Sequence, residues 1–145
     1  MARFGIEEEF ILLDEETLVP LAMDTRVREA ILGPRDDGDV TPEYLTCQLE
    51  YATAPADSRE DAGRQLRRMR AQLGAHATTQ GAIAAATGTP FIGPSGYTVS
   101  PSAHYALVSS SLAEITREHA VNGLHVHVEI RDDEERVRAL NRVRP

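Results

Sequence analysis

Three consecutive glutamates lie inside an apolar segment near the start of the chain, FGIEEEFILL at residues 4–13. The apolar residues on both sides predict a buried β-strand, and the acidic residues 14–17 predict a turn after it. Because side chains alternate along a strand, Glu7 and Glu9 share one face about 7 Å apart, while Glu8 points the other way. Two carboxylates aimed at one place favour a bound cation, whereas an exposed strand face would leave them simply solvated. This segment alone leaves both interpretations open.

A second strand with an internal carboxylate is predicted over residues 43–53, where β-branched and aromatic residues alternate with polar ones. Alternation puts Glu50 on its polar face. Glu43 lies an odd number of residues away, so it shares that face only if a bulge or bend intervenes. Cys47, the only cysteine, is predicted to be a packed small residue, because it stands among apolar neighbours with no histidine nearby.

A third unusual strand is predicted over residues 122–130, where His125 and His127 share one face with Glu129 and the alternate residues are apolar. Paired histidines on a strand face are either hydrogen-bonded or metal ligands. The other polar strands offer only carboxylates. Oxygen ligands with one imidazole suit Mg²⁺ or Mn²⁺ better than structural Zn²⁺. A zinc-dependent hydrolase built on His125 and His127 remains a distant alternative.

The remaining segments predict a mixture of helices and further strands. The capping pattern at Ser58 begins an amphipathic helix that runs to about Gly81, and Asp132-Asp133 begins a last helix. Other predicted elements are an edge strand at residues 18–21, a short helix at 26–32, a loop at 36–39 and a buried strand at 82–87. A further helix is expected from Ser100 to about His119, with Leu107, Leu112 and Ile115 among its buried positions.

Composition limits the classes of function. The net charge of −8 argues against a nucleic-acid or anionic-membrane surface. All 15 basic residues are arginines, so a phosphate-binding P-loop lysine and a Schiff-base lysine are both excluded within this chain. No apolar run reaches transmembrane length, and the acidic start is unlike a signal peptide. With a single cysteine as well, we expect a cytoplasmic protein made of one domain over residues 1–145.

Five segments together resemble the glutamate–cysteine ligase type 2 family, the carboxylate-amine ligases. They occur in the family's order along the whole chain: FGIEEEF at 4–10, LTCQLEYAT at 45–53, AATGTPF at 85–91, NGLHVHV at 122–128 and VRALNRVRP at 137–145. The resemblance covers the N-terminal portion of the family, less than half of its length. It implies an α+β, glutamine-synthetase-like fold with an antiparallel sheet and helices packed on one face, here incomplete.

The resemblance also implies an activity. Such enzymes use ATP and Mg²⁺ to phosphorylate a carboxylate, typically the γ-carboxylate of glutamate, and an amine then displaces the phosphate to give an amide. By motif, Glu7, Glu9, Glu50 and His125 are similar to metal ligands, and Glu43 falls where the family often has another acidic ligand. His127 is similar to the position that faces the nucleotide or the acyl substrate.

Two departures from the family pattern define the alternatives. His104-Tyr105 stands where relatives tend to have Arg-Tyr, and the family's later strands, which supply further metal, nucleotide and substrate groups, lie outside these residues. The leading hypothesis is therefore the N-terminal portion of a carboxylate-amine ligase that is inactive alone. The first alternative is a catalytically incomplete fragment or subunit that folds or assembles but has lost the chemistry. In either case we expect a homo-oligomer or a companion chain that carries the missing strands.

Overall fold

One antiparallel sheet organises the protein. The computed structural model describes residues 2–23, 29–93, 97–116 and 120–144. The strands in these ranges are Phe4–Asp14 (β1), Gly33–Arg35 (β2), Gly38–Pro42 (β3), Gln48–Thr53 (β4), Ala82–Ala85 (β5) and Leu124–Val128 (β6). Their spatial order is β2-β3-β4-β1-β5, and β6 also pairs with β1.

The first strand is the centre of this sheet because it has three partners. Along one edge it pairs with β4. The other edge is divided, with β6 beside residues 4–8 and β5 beside residues 11–14. The strand of three glutamates therefore lies between the other two strands that carry candidate ligands.

Three α-helices are described: Arg59–Thr78 (α1), Ala103–Leu112 (α2) and Asp133–Arg142 (α3). The predicted caps of α1 and α3 are confirmed, since Ser58 Oγ and Asp132 Oδ1 accept hydrogen bonds from backbone N–H groups three residues ahead. Helix α2 is capped by Ser102 rather than by Ser100. No helix in the described ranges is both long and apolar enough to cross a bilayer.

Helix α1 packs on one face of the sheet and closes the larger core. Phe10 and Leu12 of β1 and Tyr51 of β4 are buried there against Met69 and Leu73 of the helix. Glu8 points to this face as predicted and is 2% exposed. Its carboxylate accepts two hydrogen bonds from the guanidinium group of Arg70, and this ion pair fixes the helix to the sheet.

The opposite face is divided into an apolar half and a polar half. Ile11 and Leu13 of β1 are buried beneath Leu45, Cys47 and Ala120. Toward the other end of β1 this cover stops, and Glu7 and Glu9 are only partly buried. Alternation along one strand thus places a polar centre directly beside a small core.

The predicted strand over residues 43–53 is too long. Only Gln48–Thr53 is a strand, and residues 43–47 form the connection from β3 to β4. Leu45 and Cys47 are apolar, as expected for a buried strand, but their side chains pack in the smaller core. This packing favours a turn at residues 43–47 over an extension of β4. The predicted loop at residues 36–39 is also shorter, because Gly38 and Asp39 begin β3.

The predicted helix over residues 100–119 is wrong in its bounds and its buried face. Helix α2 ends at Leu112, where Ala113 has a φ of 46°, and a 3₁₀ turn, Ala113–Thr116, follows. Leu107 is 66% exposed and Leu112 is 46% exposed, because no described element packs over them. His119 and the side chain of Ile115 lie outside the described residues.

Three smaller predictions are modified. In the predicted helix at residues 26–32, residues 29–31 are helical, residues 24–28 lie outside the described ranges, and Gly33 already begins β2. The predicted edge strand at 18–21 makes a single bridge, Pro20 to Leu13, rather than a ladder. The strand predicted at 82–87 ends at Ala85.

Candidate metal centre

Register in the sheet brings the candidate ligands together. Glu9 of β1 lies directly opposite Glu50 of β4, and Glu7 lies directly opposite His125 of β6. Residues opposite each other in an antiparallel pair point to the same face. As a result, one ligand atom from each of Glu9, Glu50 and His125 lies within 4.8 Å of the others.

A second set of three uses the same histidine. Oε2 of Glu7 lies 3.2 Å from Nδ1 of His125 and 2.9 Å from Nε2 of His127. The two imidazole rings are nearly perpendicular, with an interplanar angle of 88°. One carboxylate oxygen of Glu7 therefore orients both rings.

His125 belongs to both sets, and its two ring nitrogens have different neighbours. Its Nδ1 faces Glu7, whereas its Nε2 lies toward Glu9. A Cβ atom placed on Gly123 would lie 2.9 Å from this Nε2 and 3.1 Å from Oε1 of Glu9. The backbone N–H of Gly123 donates to Oε2 of Glu9 at 2.8 Å, and its carbonyl accepts from the backbone N–H of Glu9.

Glu43 reaches the centre through the turn rather than through a bulge in a long strand. It follows β3 and lines a cavity of about 350 Å³ together with Glu9, His104 and Tyr105. Burial raises the pKa of its carboxyl, and the nearby charge of Glu9 raises it further. Glu43 is in neither of the three-ligand sets among the described residues, but its charge acts on the same centre.

Crowding of carboxylates makes the centre electrostatically unfavourable. Burial raises the pKa of Glu50, and the charges of Glu7, Glu43 and Glu9 add to the rise. Glu7 differs because its hydrogen bond with His127 lowers its pKa. Burial opposes this effect, and the hydrogen bond with His125 adds a smaller lowering. Burial is the largest cause of the raised pKa of Glu50, and the repulsion by neighbouring carboxylates is the part that a bound cation would offset.

The donor set fits a hard divalent cation. Glu9 and Glu50 offer carboxylate oxygens and His125 offers one imidazole nitrogen, a combination that suits Mg²⁺ or Mn²⁺. The backbone donor of Gly123 already holds one oxygen of Glu9, which leaves the other oxygen for a ligand. These residues could therefore hold such an ion, and the choice of Mg²⁺ or Mn²⁺ stays a prediction.

Some neighbouring residues have roles that sequence reasoning missed. Gln48 donates to the carbonyl of Val121 at 2.7 Å and to the side chain of Asn122 at 2.8 Å, which ties the start of β6 to β4. The Asn122-Gly123 pair preceding the histidines was a signal for this tight junction. Glu129 lies outside the centre, and hydrogen bonds from Arg3 and then Arg131 lower its pKa to about 2.

A second cavity, of about 380 Å³, borders the other end of the centre. It is lined by Glu7 and His127 together with Arg3, Thr53 and Glu129. Glu7 and His127 thus face one cavity, and Glu9 and Glu43 face the other. A cavity thus lies at either end of the candidate centre.

The model of a protein family described as glutamate–cysteine ligase family 2 matches residues 3–145. The chain belongs to this family. The resemblance inferred from the five sequence segments is thereby confirmed, and the chain corresponds to the family's N-terminal portion.

Several relatives provisionally named glutamate–cysteine ligase 2 match over almost the whole chain. One from Mycolicibacterium smegmatis is 34% identical over 142 residues, which cover 98% of this chain and 38% of the relative. One from Saccharopolyspora erythraea is 37% identical over 142 residues, covering 97% and 37%. This chain therefore spans less than two-fifths of the length of these relatives.

A solved structure has the same fold in one part of its chain. The bifunctional glutathione synthetase from Pasteurella multocida superposes with a TM-score of 0.70 at 18% sequence identity, covering 99% of this chain and 19% of that one. At this identity the likeness establishes the fold alone. The α+β architecture expected from the sequence is confirmed.

Proposed function

We propose that this chain is the N-terminal, metal-holding portion of the catalytic domain of an ATP- and Mg²⁺-dependent carboxylate-amine ligase. The observation that carries the proposal is the convergence of Glu9, Glu50 and His125 in a member of glutamate–cysteine ligase family 2. The reaction joins an amine to a carboxylate through an acyl-phosphate, and the γ-carboxylate of glutamate is the expected acid. The substrates are thus an amino acid or other carboxylate, an amine and ATP.

In this proposal each residue of the centre has a stated task. Glu9, Glu50 and His125 hold Mg²⁺, for which Mn²⁺ can substitute, and Glu43 adds negative charge beside them. Glu7 is a further ligand, and it also fixes both imidazoles through Oε2. Divalent ions of this kind offset the charge of ATP phosphates and of the transferred phosphoryl group.

His127 is proposed to face the nucleotide or the acyl substrate. It lies at the end of the centre beside the 380 Å³ cavity, whose lining includes Arg3. That arginine is already bound to Glu129 at 2.9 Å. Within the described residues, the centre is surrounded mainly by carboxylates and imidazoles, so the cationic groups for ATP and a dicarboxylate come from further sequence.

We therefore propose that this part of the family domain does not turn over substrate by itself. The curated relatives are more than twice as long, and their additional sequence is the natural source of the missing groups. That sequence would be supplied by residues outside this chain, in the same polypeptide or in a companion chain. A free, buried cysteine and the need for ATP agree with a cytoplasmic location.

A catalytically incomplete subunit is the second candidate. It is favoured by apolar side chains that are more than half exposed on β6, on α3 and at the C-cap of α3: Leu124, Val126, Val128, Val137, Leu140 and Val143. Such a surface is suited to assembly. In that case the chain would associate with other subunits but would bind no divalent ion at Glu9 and Glu50.

Binding of Mn²⁺, followed by electron paramagnetic resonance of the free ion, tests the metal centre. We expect saturable binding that Mg²⁺ displaces, and a loss of affinity of at least about tenfold in Glu9→Gln and Glu50→Gln. Glu60→Gln on the exposed surface of α1 is the matched control for the change in charge. Equal Mn²⁺ affinity in all four proteins would contradict the proposal and favour the non-catalytic subunit.

Turnover tests the reaction itself. The chain is mixed with the remainder of a family domain, and glutamate- and amine-dependent release of ADP is measured. We expect release only from the mixture, and we expect it to be lost with Glu9→Gln. Full turnover by this chain alone would overturn the proposed division of the site.

A further inference from the structure

The glycine at position 123 makes the residue before it chemically labile. A Cβ atom at this position would lie 2.9 Å from Nε2 of His125 and 3.1 Å from Oε1 of Glu9, so the local packing requires glycine. The preceding residue is Asn122. Asparagine is thermally labile, and a following glycine adds to this because no side chain shields the next backbone nitrogen. The packing that spaces Glu9 and His125 therefore creates a labile Asn-Gly pair.

We propose that Asn122 is a site of spontaneous modification, at which the amide is converted into aspartate or isoaspartate and which the folded structure keeps slow. The backbone nitrogen of Gly123 bonds to Cγ of Asn122, and the Cγ–Nδ2 bond breaks. Ammonia leaves with the proton that the Gly123 nitrogen gives up, and a cyclic succinimide remains. Water then adds to one of the two imide carbonyl carbons and opens the ring, with no oxidant or reductant.

Both reacting groups are held by hydrogen bonds in the folded protein. Nδ2 of Asn122 donates to the carbonyl of Thr87 at 2.9 Å, and Oδ1 accepts from Nε2 of Gln48 at 2.8 Å. The side-chain amide is thus fixed at both of its ends. The nitrogen of Gly123 donates its proton to Oε2 of Glu9 at 2.8 Å. Ring closure requires these bonds to break, so the modification proceeds from locally opened states.

Gln48 is the positioning residue for this protection. It is 3% exposed, and its Nε2 also donates to the carbonyl of Val121 at 2.7 Å. One buried amide group therefore holds both the side chain of Asn122 and the peptide group before it. Among the described residues, Gln48 belongs to neither three-ligand set, so it can be changed without removing a candidate metal ligand.

Modification would alter the entry into β6. Aspartate lacks the N–H group that Asn122 donates to Thr87. Isoaspartate adds a methylene group to the backbone directly before Gly123, which pairs with Glu9 through its N–H and its carbonyl. The longer backbone displaces this pair, and we expect metal binding to be lost as the protein ages. This consequence rests on the proposed function, whereas the reaction at Asn122 does not.

Mass spectrometry of the tryptic peptide of residues 118–131 tests the site. The purified chain is incubated at neutral pH, both native and unfolded in urea, and the conversion of amide to carboxyl is followed. We expect Asn122 to react at least about tenfold more slowly in the native protein. The only other asparagine, Asn141 before Arg142, is the internal reference and should react more slowly than Asn122 in urea. Equal rates at Asn122 in the two states, or equal rates at the two asparagines in urea, would overturn the proposal.

A variant at Gln48 tests the source of the protection. Gln48→Met keeps an unbranched side chain but has no N–H group, so modification of the native protein should be about two- to tenfold faster. Its rate in urea should equal that of the wild type. Gln72→Met, on α1, is the matched control. A folded Gln48→Met protein, verified by circular dichroism, with the native rate of the wild type would exclude this role. If Gln48→Met does not fold, the native and urea rates of the wild type still decide on the protection.

The effect on metal binding is measured on modified protein. Wild type aged in urea is refolded, the isoaspartate form is separated, and its Mn²⁺ affinity is compared with that of protein refolded after brief exposure to urea. We expect a loss of at least about tenfold. Equal affinities would overturn the consequence for β6. If fresh protein binds no Mn²⁺, the proposed ligase centre fails, and the mass spectra still decide on Asn122, so the two failures are distinguishable.

Discussion

At the scale of single residues, Glu50 is the carboxylate with the least compensation for its charge. Glu7 has two histidine partners and Glu9 has the backbone N–H of Gly123, but Glu50 has neighbouring carboxylates whose charges oppose its ionisation. A charge that is unfavourable in the folded protein lowers the free energy of unfolding. In a metal centre that cost is recovered when the ion binds.

Replacing Glu50 by glutamine should therefore stabilise the metal-free protein. The folded state holds the Glu50 proton more tightly than the unfolded state, so this group's contribution to stability is present below about pH 4.3, the ordinary glutamate pKa, and is lost as pH rises through the raised pKa. At pH 7, Glu50→Gln should raise the free energy of unfolding by about 0.5–1 kcal/mol. Urea denaturation of the wild type and Glu50→Gln at pH 4 and pH 7 measures this difference in the free energy of unfolding.

With saturating Mn²⁺ at pH 7 the wild type should instead be more stable than Glu50→Gln, because the ion stabilises the wild type more than the variant. Glu60→Gln is the control for removal of a surface charge. A variant that is equally destabilised at both pH values, with or without metal, would show that Glu50 is structural.

At the scale of elements, the junction between Gly123 and β6 holds the centre together. The position leaves no room for a side chain, because a Cβ atom would press on the tips of His125 and Glu9 rather than on backbone. The contact is thus with the ligands themselves. The backbone hydrogen bond between Glu9 and Gly123 can stay in place when the side chains of His125 and Glu9 move.

Gly123→Ala should weaken metal binding without unfolding the protein. We expect a loss of Mn²⁺ affinity of roughly tenfold or more, as for disturbed outer partners of a metal site, and a nearly unchanged unfolding temperature. Gly88→Ala is the matched control, since a Cβ atom there meets nothing within 4 Å. Equal Mn²⁺ affinity in the two variants would mean that the side chains are not held at the observed spacing.

Helix α1 depends on a buried charge for its attachment to β1. Removing Arg70 leaves the buried Glu8 carboxylate without its partner, which costs several kcal/mol in a fully buried pair. Because Arg70 is half exposed, we expect Arg70→Ala to lower the free energy of unfolding by about 2–3 kcal/mol. Arg64→Ala, which removes an exposed ion pair with Asp61, should cost less than about 0.5 kcal/mol.

The double variant Glu8→Met/Arg70→Met separates charge from packing. It should recover most of the loss, because both charges are then absent. Chemical denaturation of the three variants and the wild type gives the comparison. A double variant as unstable as Arg70→Ala would mean that the contact surface, and not the unpaired carboxylate, is decisive.

Elements with a local signal were predictable from the sequence, and elements fixed by distant contacts were not. Ser58 and Asp132 marked helix starts because a cap acts within three residues. The alternation around Glu7 and Glu9 located the centre for the same reason. By contrast, the turn at residues 43–47 depends on Leu45 packing near Ile11 and Leu13, and nothing in the neighbouring sequence encodes that contact.

At the scale of the whole molecule, the described part of the protein has an uncovered side. Leu124, Val126 and Val128 point to the same face of the sheet as Glu8, but they are 57–60% exposed, and β6 pairs only with β1 among the described strands. Helix α1 covers β1, β4 and β5 instead. An apolar strand with a free edge favours association.

We expect concentration-dependent association of this chain, measured by light scattering coupled to size-exclusion chromatography. Val126→Arg places a charge at the middle of the exposed strand face and should shift the protein toward the monomer. Val19→Arg, on a partly buried loop away from β6, is the matched control for added charge. A monomer at all concentrations, in the wild type and both variants, would contradict this role for β6.

The pairing of β1 with β6 also determines how late in synthesis the sheet can be completed. Residues 4–8 of β1 pair with residues 124–128, so one edge of the strand stays open while roughly 120 residues are synthesised. At about 5–20 residues per second this takes roughly 6–24 s on a ribosome. Until then the glutamate strand has an unpaired edge, and the candidate metal ligands of β1 have no histidine beside them.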